Sequence, residues 1–523
     1  MIDINTLSLE EKINQTVVYL MKKDKKIDYT PGAAFFFGQI ITDAEDGNVK
    51  ELRGYINELY TEGCIPPLVT SDFENGCGSM VKCLTPLPYM MALGATGDPK
   101  LAYNYGKATA LEARYIGANW TFSPVCDLNL NRRNPLINVR GLTDDTELAC
   151  SMLPEVIRGM QDGGIAACAK HFPGDGVDYR DQHIVTTENS LSMEEWWETY
   201  GKTYKAFIKK GVKSIMAGHI TLPDFPQQLI EKDSLPLPAT LNKSLITDLL
   251  KGELGFEGIV VTDALGMGGF KGWYDSREIS EIESFKAGCD MMLWPTEKYR
   301  ENLKKAILDG DVPISRLDDA VTRILKVKEE LGLLDKNYQR FREMTEDEKS
   351  FVKSVQEECS NKSITLIKDK LSAFPLNAKK TKNIGIIAIS EHNPAFDDAK
   401  ALKTEFEKRG FKVDYRENEK ADQDFFVKND FVICATFSRP FRPIGFIDYT
   451  GIRASAIAAS FGPDGAFDKL ILASFGSPYF YRQYFPRVQT AVNCYSMLAC
   501  QVEGFVKTVC GEIEFKGVSP VKL

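Results

Sequence analysis

Several apolar runs in the N-terminal part of the chain end in a polar side chain that a protein core would disfavour. Asp72 closes PLVTSD, Lys170 and His171 close IAACAKH, His219 closes SIMAGH and Asp263 closes GIVVTD. One such residue means little, because strand ends often meet solvent. Several in corresponding positions indicate that they converge on one site. Carboxylate, ammonium and imidazole groups together supply what nucleophilic and acid–base catalysis requires.

The few histidines are concentrated in the same part of the chain. The chain has four, at positions 171, 183, 219 and 392, and the first three fall close together in sequence. A zinc site is a competing interpretation of this cluster. However, neither H-x-x-x-H nor H-x-H occurs, and no Cys pair supplements the histidines. We therefore predict no metal.

The segment KHFPGDGVDYRDQH predicts a tight loop that leads away from a strand. Pro173, Gly174 and Gly176 favour the turn. The loop then carries Asp181 and His183. An aspartate at this spacing can accept the ring N–H of the histidine, fix its tautomer and stabilise the imidazolium. His183 would then suit a general acid, whereas a solvated loop with chance charges is the alternative on spacing alone.

Alternating strand and helix patterns are expected to position these residues. The predicted strands cover 33–38, 67–72, 120–127, 165–171, 214–219, 258–263 and 291–295. Helical patterns such as 101–116 and 194–210 lie between them. This repetition indicates parallel strands with crossover helices, and its length favours a (β/α)8 barrel of the TIM type over a doubly wound sheet. No Gly-rich nucleotide fingerprint follows the first strand.

A second α/β pattern follows near the end of the chain. NIGIIAIS, FKVDYRE, DFVICATFS and DKLILASFG are predicted strands, and 395–410 is a predicted helix. We predict a catalytic barrel over 1–337, a partly helical connecting segment over 338–377 and a smaller α/β domain over 378–523. This domain could shape the mouth of the site through Arg439 or Arg442, or mediate homodimer contacts.

The composition excludes two classes of partner. The 523 residues carry a net charge of -9 without a dense Lys/Arg block, which argues against nucleic acid. No apolar run approaches the length of a membrane span, and no secretory signal precedes the first helix. The twelve cysteines are scattered, so we expect free thiols and a cytoplasmic protein.

Five motifs in this order resemble glycoside hydrolase family 3, in particular its two-domain N-acetylglucosaminidase branch. They are SDFENG, FSPVCDLNLNRRNPLINVRGLTDD, AKHFPGDG, VTDALGMGG and KAGCDMMLWP. The resemblance implies that Asp263 is the nucleophile and that His183, oriented by Asp181, is the acid/base. The residues that it implies for the sugar subsite are Asp72, Arg140, Lys170, His171 and Met267.

The chain departs from the family pattern at a few positions. Asp175 stands where K-H-F-P-G-H-G has its second histidine. Gln182 stands between Asp181 and His183, and Gly141-Leu142 replaces Ser-Phe. These changes leave the chemistry intact, but they leave the exact substrate open.

The resemblance implies a retaining, exo-acting β-N-acetylhexosaminidase that acts on a small oligosaccharide or glycoside, with GlcNAc as the favoured sugar and no cofactor. Four alternatives remain open. They are a GalNAc-specific enzyme, a β-N-acetylhexosaminide phosphorylase, a β-glucosidase or β-xylosidase, and an inactive carbohydrate-binding protein.

Overall fold

The structure is a computed structural model that describes residues 2–23, 27–38, 47–226, 235–390, 395–439 and 462–523. The chain has the predicted α/β fold. Its N-terminal strands are β1 Val17–Leu20, β2 Ala33–Phe35, β3 Leu68–Thr70, β4 Cys168–Phe172, β5 Thr187–Glu188, β6 Ser214–Ala217, β7 Ile220–Thr221, β8 Ile259–Thr262 and β9 Met292–Leu293.

Helices separate most of these strands. They are α1 Leu9–Gln15, α2 Gly47–Glu58, α3 Met90–Thr96, α4 Pro99–Ile116, α5 Thr146–Asp162, α6 Met193–Trp196, α7 Lys202–Lys209, α8 Arg277–Ala287, α9 Tyr299–Leu308 and α10 Ile314–Glu330. This part of the described chain also contains two π-helical segments, Trp197–Gly201 and Ser244–Glu253, and several short 3-10 helices. The predicted helix over 194–210 therefore contains a π-helical turn between α6 and α7.

The N-terminal strands pair in parallel, in the orders β3-β2-β1-β9 and β4-β6-β8. Isolated bridges join Val261 to Met291 and Trp120 to Ala166. Apolar side chains from all these strands form one buried cluster between them. Because the strands are parallel, their carboxyl ends lie at the same side, which is where the predicted polar residues stand.

The strand prediction for the N-terminal region differs from the structure at one predicted run and at strands β1, β5 and β7, which were not predicted. The run 120–127 forms bridges only at Trp120 and Val125 rather than a continuous ladder, and Pro124 within it has no N–H to donate. Strand β1 was not predicted, because its VVYL run follows directly on α1 without a turn signal. Helix α1 begins with a capping box between Ser8 and Glu11.

The C-terminal region is built on one six-stranded sheet in the order β10-β15-β14-β13-β11-β12. Its strands are β10 Thr365–Asp369, β11 Asn383–Ser390, β12 Lys412–Glu417, β13 Phe431–Ser438, β14 Leu470–Gly476 and β15 Thr490–Asn493. Its helices are α11 Glu346–Ser363, α12 Ala395–Lys408, α13 Gln423–Lys428, α14 Phe480–Gln483 and α15 Ala499–Val509. Only β10 runs antiparallel among these strands, and it falls within the predicted connecting segment 338–377.

The C-terminal region contacts the N-terminal region beside the loop that carries Arg140. The side chain of Asn138 donates to Ser477 Oγ at 3.4 Å. Arg439 lies over the ring of Tyr89 at 5.3 Å, whereas Arg442 and His392 lie outside the described residues. The twelve cysteines, all within the described ranges, form no disulfide. In the described ranges, no helix has the length and hydropathy of a membrane-crossing segment.

One lysine of α10 is buried without an acidic partner. Lys328 has no exposed surface, and its Nζ donates to Gln15 Oε1 at 2.7 Å. Burial lowers the pKa of Lys328 to about 7. Between that pH and the ordinary lysine pKa of 10.5, the folded chain holds a neutral amine and the unfolded chain an ammonium. Unfolding then takes up a proton, so stability rises with pH across this window.

Lys328→Met is therefore expected to stabilise the protein most at acidic pH. The difference in unfolding free energy between variant and wild type should be about 2 kcal/mol larger at pH 6 than at pH 9. Urea unfolding at both pH values measures it. The control is Lys326→Met on the same helix, whose half-exposed amine pairs with Glu257. If both variants show the same pH dependence, Lys328 is not buried as a neutral amine.

Candidate active site

Asp263 directly follows β8 and presents its carboxylate at the carboxyl side of the strands. Its Oδ1 accepts the amide of Ala264 at 2.7 Å, and its Oδ2 lies 3.8 Å from His171 Nε2. Burial alone would raise the pKa of Asp263, but the facing histidines, His171 first, outweigh it and lower the pKa. Asp263 is therefore an anion at neutral pH with 14% of its side chain exposed to a substrate.

His171, in β4, is held by a carboxylate that the sequence analysis did not single out. Asp127 Oδ2 lies 2.7 Å from His171 Nδ1, and both oxygens of Asp127 accept the His171 amide at 3.1 and 3.2 Å. The pair leaves Nε2 directed at Asp263. Asp127 ends the predicted strand 120–127, so its position at a strand end was the signal that could have identified it.

The loop after β4 brings Asp181 and His183 together as predicted. Asp181 Oδ1 lies 2.7 Å from His183 Nδ1 and accepts the His183 amide at 2.8 Å. Asp181 is almost fully buried, whereas 24% of the His183 side chain is exposed. The carboxylate thus fixes the ring and leaves its Nε2 side accessible.

Backbone hydrogen bonds join this loop to the loop that carries Asp263. The amide of Gly268 donates to the His183 carbonyl at 2.8 Å, and the amide of Gly269 donates to the Gln182 carbonyl at 3.1 Å. A Cβ on Gly268 would come within 2.0 Å of the Ile184 carbonyl oxygen, so only glycine permits this approach. The two candidate catalytic loops therefore face one another as one unit.

Asp175, the departure from the family motif, lies behind these groups. Burial, with the adjacent Asp127, raises the pKa of Asp175 to about 7. Its carboxyl accepts the side-chain amides of Asn134 at 2.7 Å and Gln182 at 3.3 Å. Gln182 in turn accepts the His219 amide at 2.9 Å. Asp175 thus holds Gln182, which lies between Asp181 and His183, in a fixed position.

His219 belongs to the same hydrogen-bond network as Asp175 and Gln182. Its Nε2 lies 3.1 Å from the Ala264 carbonyl and its Nδ1 lies 3.0 Å from Thr240 Oγ1. A carbonyl can only accept, so Nε2 carries the proton. Burial lowers the pKa of His219. Both ring nitrogens are occupied, and the neutral imidazole holds the loop beside Asp263.

Four ionisable groups form a second cluster on the same side. Lys170 Nζ lies 3.0 Å from Asp72 Oδ1 and 2.8 Å from Glu74 Oε1. The guanidinium of Arg140 grips Glu74 through two bonds of 2.8 Å. Burial would raise the pKa of Glu74, but Arg140 and Lys170 outweigh it and hold the pKa well below the usual range. Burial raises the pKa of Asp72 although Lys170 opposes the rise.

Glu74 was missing from the predicted site. It lies inside SDFENG, four residues after β3, and its partners are remote in sequence. Met267, which was predicted, is 8% exposed and packs into the apolar cluster between the strands. The structure therefore brings the predicted residues together and adds Glu74 and Asp127. Within the described ranges, no three His, Cys, Asp or Glu side chains are arranged to hold a metal ion.

A family model and several relatives match the chain. The model described as "Glycosyl hydrolase family 3 N terminal domain" matches residues 8–327. A β-N-acetylglucosaminidase/β-glucosidase of Cellulomonas fimi is 39% identical over 284 residues, which are 53% of this chain and 50% of that protein. β-Hexosaminidase A of Pseudoalteromonas piscicida is 29% identical over 58% of this chain and 54% of that protein. The chain thus spans about half the length of these relatives.

Two solved structures match the chain along nearly its whole length. A β-glucoside phosphorylase has a TM-score of 0.87 at 28% identity. The match covers 99% of this chain and 95% of the phosphorylase. A family 3 β-N-acetylglucosaminidase from Paenibacillus sp. str. FPU-7 has a TM-score of 0.83 at 26% identity, with 99% of each chain covered.

Proposed function

The chain belongs to glycosyl hydrolase family 3, and from this premise we propose that it is a retaining, exo-acting β-N-acetylhexosaminidase that removes GlcNAc. The observation that carries the proposal is the Asp181–His183 pair, joined by backbone hydrogen bonds to the loop of Asp263. Relatives named for N-acetylglucosaminidase or hexosaminidase activity support the choice of sugar.

Asp263 is the proposed nucleophile. Its carboxylate is ionised, partly exposed and kept in place by the Ala264 amide. It attacks the anomeric carbon as the bond to the leaving oxygen breaks, and the result is a covalent glycosyl-enzyme. His171 lies against the same carboxylate and stabilises its charge before the attack.

His183 is the proposed acid and base. Asp181 stabilises its imidazolium, which donates the Nε2 proton to the leaving oxygen. The neutral ring then accepts a proton from the water that attacks the glycosyl-enzyme. Asp181 remains ionised throughout and holds the ring in one tautomer.

The cluster of Asp72, Lys170 and Arg140 is proposed to hold the sugar hydroxyl groups by charge-assisted hydrogen bonds. Glu74 forms ion pairs with both Lys170 and Arg140 and holds them in position. Met267 is proposed to lie near the sugar, in the loop that begins with Asp263. This grip orients the anomeric carbon toward the nucleophile, which can contribute several kcal/mol to the rate.

Phosphorolysis is the second candidate function. After the first step the base is a neutral imidazole rather than a carboxylate, so an incoming phosphate meets less repulsion. The similarity to a β-glucoside phosphorylase over 99% of this chain also favours this candidate. The glycosyl-enzyme would then pass to phosphate and give a sugar 1-phosphate.

Product analysis tests both candidates. We expect the enzyme to cleave aryl β-N-acetylglucosaminides at least about tenfold faster, by kcat/KM, than the corresponding glucosides, xylosides or N-acetylgalactosaminides. Parallel reactions with and without phosphate report on the acceptor. Faster cleavage of the glucoside would reverse the sugar assignment, and absence of sugar phosphate would exclude phosphorolysis. No cleavage of any glycoside would favour an inactive carbohydrate-binding protein.

We also propose that the N-terminal strands close into a (β/α)8 barrel. Beyond the isolated bridges, the amide of Trp120 donates to the Val69 carbonyl and the amide of Phe122 donates to the Ser71 carbonyl, each at 3.1 Å. These bonds support closure of the ring between β3 and β4. The proposed domains are the barrel over 1–337, the segment 338–377, which connects the two domains and contributes β10 to the C-terminal sheet, and the C-terminal domain over 378–523.

A further inference from the structure

We propose that the preferred substrate has an apolar aglycone, alkyl or aryl, which packs on the side chains that follow His183. The proposal rests on the proposed function and deepens it by naming the chemistry of the leaving group. The surface consists of Ile184, Val185 and the ring of Trp273, and is called the aglycone face below.

Proximity to the proton donor assigns this face to the leaving group. A general acid must lie within hydrogen-bond distance of the oxygen that it protonates. The atoms attached to that oxygen therefore lie within a few ångströms of His183. The next side chains along the chain are Ile184 and Val185. The proposal places the remainder of the leaving group against these two side chains.

These side chains are exposed although they are apolar. Ile184 is 52% exposed and Val185 is 40% exposed. The loop is nevertheless well fixed, because the amides of both residues donate to the Asp181 carbonyl at 2.9 and 3.1 Å. Their exposure is therefore a property of a defined surface, on which an apolar ligand would bury area that water now covers.

Trp273 extends this surface on the side of the nucleophile loop. Its indole Nε1 donates to Thr186 Oγ1 at 2.9 Å, and Thr186 directly follows Val185. The hydroxyl of Thr186 in turn donates to the Gly269 carbonyl at 2.8 Å. The half-buried ring of Trp273 is thus fixed close in the fold to Ile184 and Val185, and its Nε1–H has a hydrogen-bond acceptor.

The charged side chains of the same loop are engaged with one another. Asp178 accepts the Arg180 guanidinium and also the amide of Glu188 at 2.9 Å. Asp181 is nearly fully buried against His183. The charges of Asp178, Arg180 and Asp181 are thus paired within the loop, and the exposed side chains that directly follow His183 are apolar. This favours a hydrocarbon aglycone over a charged peptide or a heavily hydroxylated sugar.

A series of alkyl β-N-acetylglucosaminides from ethyl to hexyl tests the proposal. Primary alcohols have nearly the same pKa, so their intrinsic leaving ability is constant and differences in kcat/KM report contacts with the chain. Each buried methylene contributes about fourfold, and we expect the hexyl glycoside to exceed the ethyl glycoside at least about tenfold. Released GlcNAc is quantified by chromatography.

The paired variant Ile184→Ser with Val185→Ser is expected to bring the hexyl-to-ethyl ratio near one. The matched control is Leu308→Ser, which removes a 69% exposed leucine at the end of α9 and should keep the wild-type ratio. The ratio is taken within each protein, so a general loss of activity does not affect it. The single variant Ile184→Thr, expected to lower the ratio partially, provides the same readout with a smaller perturbation.

If kcat/KM does not change along the alkyl series in the wild type, or if the hexyl-to-ethyl ratio is unchanged in the paired variant, the aglycone face is wrong. The glycosidase assignment then still stands. If neither the alkyl glycosides nor p-nitrophenyl β-N-acetylglucosaminide is cleaved, the proposed function fails and the aglycone face falls with it. The two failures are therefore distinguishable.

Discussion

Asp263→Asn is expected to lower kcat/KM on an aryl β-N-acetylglucosaminide by at least about 10⁴-fold, with little change in stability. The amide has the shape of the carboxylate and can still accept the Ala264 amide. It lacks the negative charge that attacks the anomeric carbon, and no described carboxylate other than Asp263 lies within 4 Å of His171 Nε2. Steady-state kinetics and a thermal melt measure the two effects.

Asp275→Asn is the control for this prediction. Asp275 lies in the same loop after β8, but its side chain is exposed to solvent. We expect activity within about twofold of the wild type for this variant, because surface substitutions usually have small effects. Activity of Asp263→Asn within tenfold of the wild type would remove Asp263 from the nucleophile's role and with it the proposed mechanism.

Residues at strand ends were predictable because each directly follows or closes a continuous apolar run. The run GIVVTD predicts both β8 and the residue that follows it, and IAACAKH does the same for Lys170 and His171. Parallel strands then bring these ends to one side of the fold. The order of strands along the chain is sufficient for this inference, and no distance between residues has to be known.

Glu74 and the strand β10 show what the local sequence does not encode. Glu74 lies in a loop, and its two cationic partners come from segments far along the chain. Strand β10 has a half-exposed pattern with a register shift near Leu366, so no clear alternation indicates it. Its pairing with β15 depends on a partner more than a hundred residues away. Such long-range contacts arise from tertiary packing, which single-sequence patterns do not contain.

Glu74 has the second-largest predicted effect because it holds two cations at once. In Glu74→Gln the neutral amide no longer balances Lys170 and Arg140. Lys170 keeps its ion pair with Asp72, whereas Arg140 loses the carboxylate that its guanidinium binds. Removing one member of a buried ionic cluster leaves the others uncompensated. We expect unfolding free energy to fall by about 2–4 kcal/mol, and kcat/KM to fall about 10²-fold as both cations lose their orientation toward the sugar.

Glu155→Gln separates this effect from the loss of any ion-paired glutamate. Glu155 has the same side-chain exposure as Glu74, 17%, and also contacts two cations, Arg158 and Lys210, but it lies on α5 away from the candidate site. We expect this variant to keep full activity, because its partners extend into solvent and regain hydration. Equal losses of stability and activity in the two variants would show that Glu74 acts as an ordinary ion pair. A loss of activity confined to Glu74→Gln, measured well below the melting temperature of both variants, would instead require that the ionic cluster orients the substrate.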